Sequence, residues 1–319
     1  MQQLKNILVA HDFSEPSDAA LTQAIRLGNA VAAEVTVLHT VQSLLCSRGW
    51  LDAEADALLP TLGQLVEGAE ERMRRALSAH QAVCVTRQEV VAGHACGTIL
   101  EWCEKRRPDL LVLGAHSMAD AYRNMGYTAA TAIRKATAPV LAVHQSGGGP
   151  FRRILIATDF SETSRLALSH GLRLADIDGA SVEILHVHAD PWGHGAEPEW
   201  HRRALPDFAD QYSGRVCETS RNWAAATLNE FPSVRVEHVA LRHKSPGQGI
   251  VERAATINAD LIAIGTKGST NLRYIFLGST AERILRGVPC SVLAVKPNVS
   301  EHPLAADETP APSPMQWLV

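Results

Sequence analysis

The chain has 319 residues, of which 46% are hydrophobic and 20% are charged, and its formal net charge at pH 7 is −4. This length accommodates two domains of ordinary size, and the mildly acidic balance argues against a protein that grips the phosphate backbone of nucleic acid. The sequence contains neither a run of about 18 apolar residues nor a secretory leader before its first strand, so we expect a cytoplasmic protein without membrane insertion.

The first elements alternate between strand and helix. A compact apolar run at 7–10 lacks polar alternation, which is typical of a parallel strand buried on both faces, and a capped helix follows it. A second strand is predicted at 35–39, a long segment of helical composition at 50–82, and a third strand at 83–91. A short helix, a fourth strand, a last helix and a fifth strand complete the unit.

The same order of elements then begins again. Residues 5–17 read KNILVAHDFSEPS and residues 152–164 read RRILIATDFSETS, so Asp12 aligns with Asp159 at an offset of 147 residues (159 minus 12). The match continues to the last strand, where PVLAVH in the first copy corresponds to SVLAVK in the second. An internal repeat of about 150 residues indicates a duplicated domain.

Strands that alternate with helices predict an α/β fold, with a doubly wound five-stranded parallel sheet in each copy. We expect a first domain at 1–145, a flexible Ser-Gly-Gly-Gly-Pro linker at 146–150 and a second domain at 151–297. The proline-rich stretch at 298–319 is predicted to be a disordered tail. The six cysteines show no CxxC pair or zinc-ribbon spacing, so we expect buried or idle thiols.

A glycine-rich loop follows the fourth strand of the second copy. It reads G-T-K-G at 265–268 and, after nine further residues, G-S-T at 278–280, where a helix is predicted to begin. Glycines let the backbone approach a bulky anion, and unpaired amides at a helix start can donate to it. The hydroxyls of Ser279 and Thr280 and the ammonium of Lys267 add donors. The pattern predicts a phosphate site that is neither a Walker loop nor a dinucleotide fingerprint.

This G-x2-G-x9-G-[ST] pattern resembles the ATP-binding branch of the universal stress protein family. Further matches are the Ala-Thr-Asp end of strand one, the Leu-His-Val end of strand two and the Val-Leu-Ala-Val of strand five. The resemblance covers both halves, about 3–145 and 151–297, so the chain resembles a tandem universal stress protein. It implies a Rossmann-like fold of the adenine-nucleotide α-hydrolase type, with the halves packed as a pseudo-dimer through their last strands.

The resemblance also implies a site in the second half, with ATP held between strands one and four and Mg2+ as its candidate companion. The residues implied on the adenosine side are Ala157, Thr158, Asp159, which would lie near ribose or magnesium, and Val187, which would meet adenine through its backbone. The residues implied around the phosphates are Gly265, Gly268, Gly278, Ser279 and Thr280. Lys267 falls at a variable position of the family pattern, and its assignment rests on its charge alone.

The loop of the first copy departs from this pattern. It reads G-A-H-S at 114–117 and, after a spacer that is one residue shorter, G-Y-T at 126–128. We expect the side chains of Ser117 and Tyr127 to intrude where phosphate oxygens would lie, and His11 stands where the second copy has a threonine. The first half is therefore predicted not to bind ATP in the same manner and to serve a structural role.

Two groups of residues have alternative interpretations. Asp12 and Asp159 also fit as helix-entry residues, because DFSE is a capping sequence; we favour capping for Asp12 and a ligand role for Asp159. The histidines of the second copy, His186, His188, His194 and His201, lack the further residues of a recognised metal site. His186 is matched by His39, which indicates a strand-end hydrogen bond common to both copies.

Three functions are compatible with these patterns. We favour an ATP-binding, non-enzymatic regulatory protein of the stress response, with no residue placed by motif as a catalytic base. The alternatives are a slow ATP hydrolase and a non-nucleotide interaction module with vestigial sites. Beyond the intramolecular pairing of the halves, a homodimer of the tandem chain and an unidentified regulatory protein partner are left open.

Overall fold

The computed structural model describes residues 4–42, 61–80, 84, 86–116, 125–189, 208–267, 277–287 and 289–297. The first half contains β1 (Asn6–Ala10), α1 (Glu15–Val31), β2 (Glu34–Val41), α2 (Leu62–Ser78), β3 (Thr86–Ala92), α3 (Ala95–Arg106), β4 (Leu110–Gly114), α4 (Tyr127–Lys135) and β5 (Val140–Val143). The second half contains β6 (Arg153–Ala157), α5 (Glu162–Asp178), β7 (Ser181–His188), α6 (Phe208–Leu228), β8 (Val236–Arg242), α7 (Pro246–Thr256), β9 (Leu261–Gly265), α8 (Ser279–Leu285) and β10 (Ser291–Val295).

The ten strands form one continuous sheet in the order β3-β2-β1-β4-β5-β10-β9-β6-β7-β8. Strands within each half pair in parallel, and the two halves join where β5 and β10 pair antiparallel, with Leu141 opposite Leu293. The predicted fold class, two doubly wound five-stranded units packed as a pseudo-dimer, is confirmed. Because the central pair is antiparallel, the carboxyl ends of the strands lie on opposite edges of the sheet in the two halves.

The core lies on both faces of the sheet and crosses the boundary between the halves. Successive residues of a strand point to opposite faces, so Ile7 and Leu8 belong to separate hydrophobic clusters. The cluster around Ile7 includes α1 and α5 and reaches Leu293, whereas the cluster around Leu8 includes side chains of α3, α4, α7 and α8. Each cluster therefore contains residues of both copies.

The helices that follow the first strands begin in the same way in both halves. Ser14 caps α1 and Ser161 caps α5, each by accepting a hydrogen bond from a backbone amide three residues later. The residue before each cap has a left-handed backbone, with φ of 62° at Phe13 and 64° at Phe160. This conformation is uncommon for a bulky residue, and its repetition marks a strained turn that both copies keep.

Polar contacts also link the halves. The guanidinium of Arg26 on α1 pairs with the carboxylate of Asp178 at the end of α5. Near the seam, the His144 amide donates to Ser291 Oγ at 3.1 Å, and Lys296 Nζ donates to the Ala136 carbonyl at 2.6 Å. No described helix combines the length and the apolar character that a membrane span requires.

Candidate functional site

An open cleft of about 210 Å³ lies at the carboxyl ends of β6 and β9, which are neighbours in the sheet. The helices after these two strands lie on opposite faces, so this is the point where ligands bind in doubly wound sheets. The predicted residues that line the cleft are Ala157, Thr158, Asp159, Val187, Gly265, Lys267, Gly278, Ser279 and Thr280. Gly268, the tenth predicted residue, lies outside the described residues.

The end of β6 forms one wall, and its polar groups are held by the turn into α5. Thr158 is buried; its hydroxyl lies 3.0 Å from Ser164 Oγ and accepts a hydrogen bond from the Phe160 amide. Asp159 Oδ1 accepts from the amide of Ser161, the helix cap, at 3.1 Å. Asp159 therefore supports the turn as well as lining the cleft, so its two predicted roles are structurally compatible.

His186 supports this wall from the neighbouring strand β7. Its Nδ1 lies 2.8 Å from the Thr158 carbonyl oxygen, which can only accept, so Nδ1 carries the proton. Burial lowers the pKa of His186 and outweighs the opposing effect of this hydrogen bond. His39 makes the same bond to the His11 carbonyl at 2.7 Å, so the predicted strand-end hydrogen bond is confirmed in both halves.

Glycine is present at the strand end and at the helix end of the loop for different structural reasons. A Cβ at Gly265 would lie 3.1 Å from backbone atoms of Thr163 and Ser164, so this glycine is needed for α5 to pack closely against β9. A Cβ at Gly278 would meet, among the described residues, only the Thr266 carbonyl oxygen, at 3.5 Å, and Gly278 has an ordinary φ of −59°. The described fold gives no steric reason for glycine at 278, and the space left open belongs to the cleft.

The amides at the start of α8 are only partly available. The prediction that the Gly278 amide is unpaired is wrong, because it donates to the Thr266 carbonyl at 3.0 Å and closes the loop. Within the described part of the chain, the amides of Ser279 and Thr280 form no such bond. Because α8 spans only seven residues, its macrodipole is weak, and anion binding must come mainly from amides, hydroxyls and Lys267.

Lys267 brings positive charge to the cleft. It is partly buried, and its ammonium forms no ion pair with a described residue. Lys296, just past the end of β10, lies close enough to be influenced by it. Burial is the main cause that lowers the pKa of Lys296 to about 8, and the charge of Lys267 lowers it further.

The sequence did not single out the apolar side of the cleft. Pro246 and Ile250 from the first turns of α7 line it, together with Ile264 and with Ile284 of α8. The repeat could have indicated α7, because Ala95 and Ile99 of α3 line the corresponding cleft of the first half. This side of the cleft is therefore apolar, as the lining of small-molecule pockets predominantly is.

The corresponding cleft of the first half measures about 140 Å³ and differs in chemistry. His11 replaces Thr158 and is buried, with Nε2 at 2.9 Å from Asp18 Oδ1; burial lowers its pKa despite that contact. His116 stands where the second half has Lys267. Tyr127 lines the cleft but is 71% exposed, so its ring does not fill the space as expected, and Ser117 lies outside the described residues.

The next residues to consider are Asp12, which has the contacts of a helix-entry residue, and the histidines that a metal site would use. Asp12 accepts from the amide and the hydroxyl of Ser14, the cap of α1, which agrees with its predicted capping role. Within the described ranges, no three His, Cys, Asp or Glu side chains are grouped as a metal site requires. His194 and His201 lie outside those ranges.

Comparison with known proteins gives consistent results. A tandem-length universal stress protein of Mycolicibacterium smegmatis is 25% identical over 91% of this chain and 97% of its own length. A shorter one of Methanocaldococcus jannaschii is 31% identical over 49% of this chain and 88% of its own length. The crystal structure of a universal stress protein from Archaeoglobus fulgidus shares the fold, with a TM-score of 0.61 and 19% identity over 92% of this chain and 99% of that one. The model of the universal stress protein family matches residues 3–144 and again 150–296, and the chain therefore belongs to this family.

Proposed function

We propose that the second half binds ATP in the cleft between β6 and β9, and that the nucleotide regulates this protein's interactions during stress. The observation that carries the proposal is the convergence on one cleft of Lys267, Gly278 and the strand-end residues of β6. These groups come from segments about 110 residues apart, at the position where doubly wound sheets hold ligands.

The chemistry of the cleft fits a nucleoside triphosphate. The apolar wall of Pro246 and Ile250 suits a purine, and the hydroxyls of Ser279 and Thr280 with the Lys267 ammonium suit phosphate oxygens. Asp159 supplies a carboxylate, the kind of oxygen ligand that Mg2+ prefers. The open space above Gly278 lets a phosphate approach the backbone.

We propose a single nucleotide site in each chain. In the first half, His116 replaces the lysine and the His11 imidazole replaces the Thr158 hydroxyl, so a fixed positive charge and a small polar group are both missing from that cleft. The contribution of the first half is the antiparallel pairing through β5. In a regulatory role, a protein partner would then recognise the second half in its ATP-bound state.

The decisive experiment quantifies nucleotide released from freshly purified, denatured protein by anion-exchange chromatography. About one adenine nucleotide per chain is expected, and the ADP fraction tests the alternative of slow hydrolysis. A value near two nucleotides per chain would contradict the proposal that the first half does not bind ATP. No nucleotide, together with no binding at millimolar ATP, would replace the proposal with a non-nucleotide interaction module.

A matched pair of variants tests the location. Gly278→Glu should abolish ATP binding in calorimetry, because a carboxylate would occupy the phosphate position and repel it. Gly126→Glu makes the same change at the corresponding position of the first half and should leave the affinity unchanged. Retained binding in the Gly278 variant would refute the site while leaving the family membership intact.

A further inference from the structure

Apart from the two clefts, a groove of about 790 Å³ lies between the halves. One side is formed by Leu166, His170 and Arg173 of α5. The first half contributes Arg107–Asp109 and Thr137–Pro139 to the lining, and Val295 and Lys296 line the groove where β10 ends. We call this the tail groove, because the end of β10 lines it.

The internal repeat supplies a counterpart across the pseudo-twofold axis. With the offset of 147 residues, Leu166, His170 and Arg173 correspond to Ala19, Gln23 and Arg26 of α1. At that counterpart, the chain that leaves β5 runs over α1: a Cβ at Gly148 would lie 3.6 Å from Thr22 and 3.7 Å from Ala19 Cα. A polypeptide that leaves the last strand of its half therefore already fills one of the two equivalent grooves.

Two side chains of the tail groove, Arg107 and His170, have no polar partner among the described residues. Arg107 is exposed and forms no ion pair with any residue that the structure describes, although it lines the groove together with Arg173 and Lys296. His170 forms no hydrogen bond there either. The acidic groups of the lining are Glu104 and Asp109, and Asp109 already accepts from the backbone amides of Lys5 and Asn6.

The segment that follows β10 has complementary chemistry. Residues 298–319 contain Glu301, Asp307 and Glu308 but no Lys or Arg. Pro303 and Leu304 offer apolar groups to the apolar parts of the lining, among them Leu4 and Leu166. The proline-rich composition suits an extended segment, which needs no core of its own.

We propose that the tail groove binds residues 298–319 of the same chain as an extended peptide that continues from β10. Its carboxylates pair with Arg107, as polar partners do at the rim of an interface, and its apolar residues cover α5. Leu304 is eight residues beyond Lys296 and reaches up to about 26 Å from it when the chain is extended.

Photo-crosslinking in the full-length protein tests this docking. A benzophenone amino acid replaces Leu304, and after irradiation the crosslinked residues are mapped by mass spectrometry. We expect crosslinks within one chain to Leu166–Arg173 and to the 107–109 and 137–139 segments. Arg107→Glu should lower their yield about threefold, because one attraction becomes a repulsion, and 1 M salt should lower it as well.

Lys105→Glu is the matched control, because Lys105 lies in the last turn of α3 just before Arg107, is 69% exposed and does not line the groove. It should leave the crosslinks unchanged, and equal thermal midpoints should show that both variants are folded. Crosslinks that join two chains would overturn the proposal in favour of a second copy as the occupant. Scattered crosslinks, or a yield insensitive to Arg107→Glu, would overturn it in favour of an undocked tail.

Discussion

Arg26 and Asp178 are 152 positions apart in the chain, yet the guanidinium of the first donates to both carboxylate oxygens of the second. The Asp178 side chain is fully buried and also accepts from the Phe151 amide at 2.8 Å, just after the predicted linker. One carboxylate thus connects α1 of the first half, the end of α5 and the entry to β6. Val31 stands at the equivalent position of the first half, so this contact occurs on one side of the pseudo-twofold axis only.

Arg26→Ala should lower the free energy of unfolding by about 3 kcal/mol, because the Asp178 carboxylate would stay buried without its cation. The urea midpoint measures this loss. Arg75→Ala removes an arginine that is 75% exposed and paired with Glu71, and it should change stability by less than about 0.5 kcal/mol. Equal losses in the two variants would contradict the structural role of the Arg26–Asp178 pair.

Substitutions of the two loop glycines should affect different properties, one mainly the stability of the fold and the other mainly ATP binding. Gly265→Ala should destabilise the protein by about 2 kcal/mol, because its methyl group would press on the backbone of α5. Gly278→Ala should cost at most about 1 kcal/mol, as an alanine at a helix cap does, but should weaken ATP binding. Thermal unfolding and calorimetry on both variants make the comparison, and the reverse order of the two stabilities would refute it.

His170 should make stability depend on pH. Burial, and to a lesser degree the charge of Arg173, lowers the pKa of His170 from 6.5 to about 4. Between these values the unfolded chain binds the proton and the folded chain does not, so stability falls as the pH decreases from 6.5 to 4. His170→Gln installs the residue found at position 23 and should remove this fall, which amounts to about 3 kcal/mol for the shift from 6.5 to about 4. Identical unfolding profiles for parent and variant across this range would contradict the prediction.

Two cysteines should be inert to alkylation. Burial is the main cause that raises the pKa of Cys103 and of Cys290 to about 12, so little thiolate forms at neutral pH. In the folded protein at pH 8, iodoacetamide should label Cys84, Cys96 and Cys217 before either of them, as followed by peptide mass spectrometry. Labelling of Cys103 at the rate of Cys96 would show that α3 opens readily.

Much of the fold was predictable because the repeat supplied each element twice. Apolar runs such as Ile154–Ala157 are strands in both copies, and the DFSE sequence begins a helix in both. Boundaries were less accurate: the third strand, predicted to start at residue 83, starts at Thr86, since propensity marks the end of an element only weakly. The family match covers two domains at 3–144 and 150–296. The linker at 146–150 and the disordered tail at 298–319 stay predictions from composition.

The residues that line the candidate cleft were largely predictable from the sequence, but the geometry of the cleft was less so. The loop residues follow from the glycine pattern, whereas Thr158 was identified through the family resemblance and Lys267 through its charge. The bond from Gly278 to Thr266 depends on how the loop closes, and the sequence carries no direct signal for it. The tail groove depends on how α5 faces the first half, which is a property of the assembled sheet and not of any local motif.

The antiparallel seam has a consequence for how such proteins diversify. The described pairing of β5 with β10 involves only three residues on each strand, a short interface for two separate chains. Covalent linkage holds the partners at an effective concentration of the order of millimolar, so the seam need not encode strong affinity. Each chain also contains the two unlike clefts in a fixed one-to-one ratio, an asymmetry that a homodimer of identical subunits cannot have. His11 and Tyr127 can therefore differ from their counterparts Thr158 and Ser279 within one and the same chain.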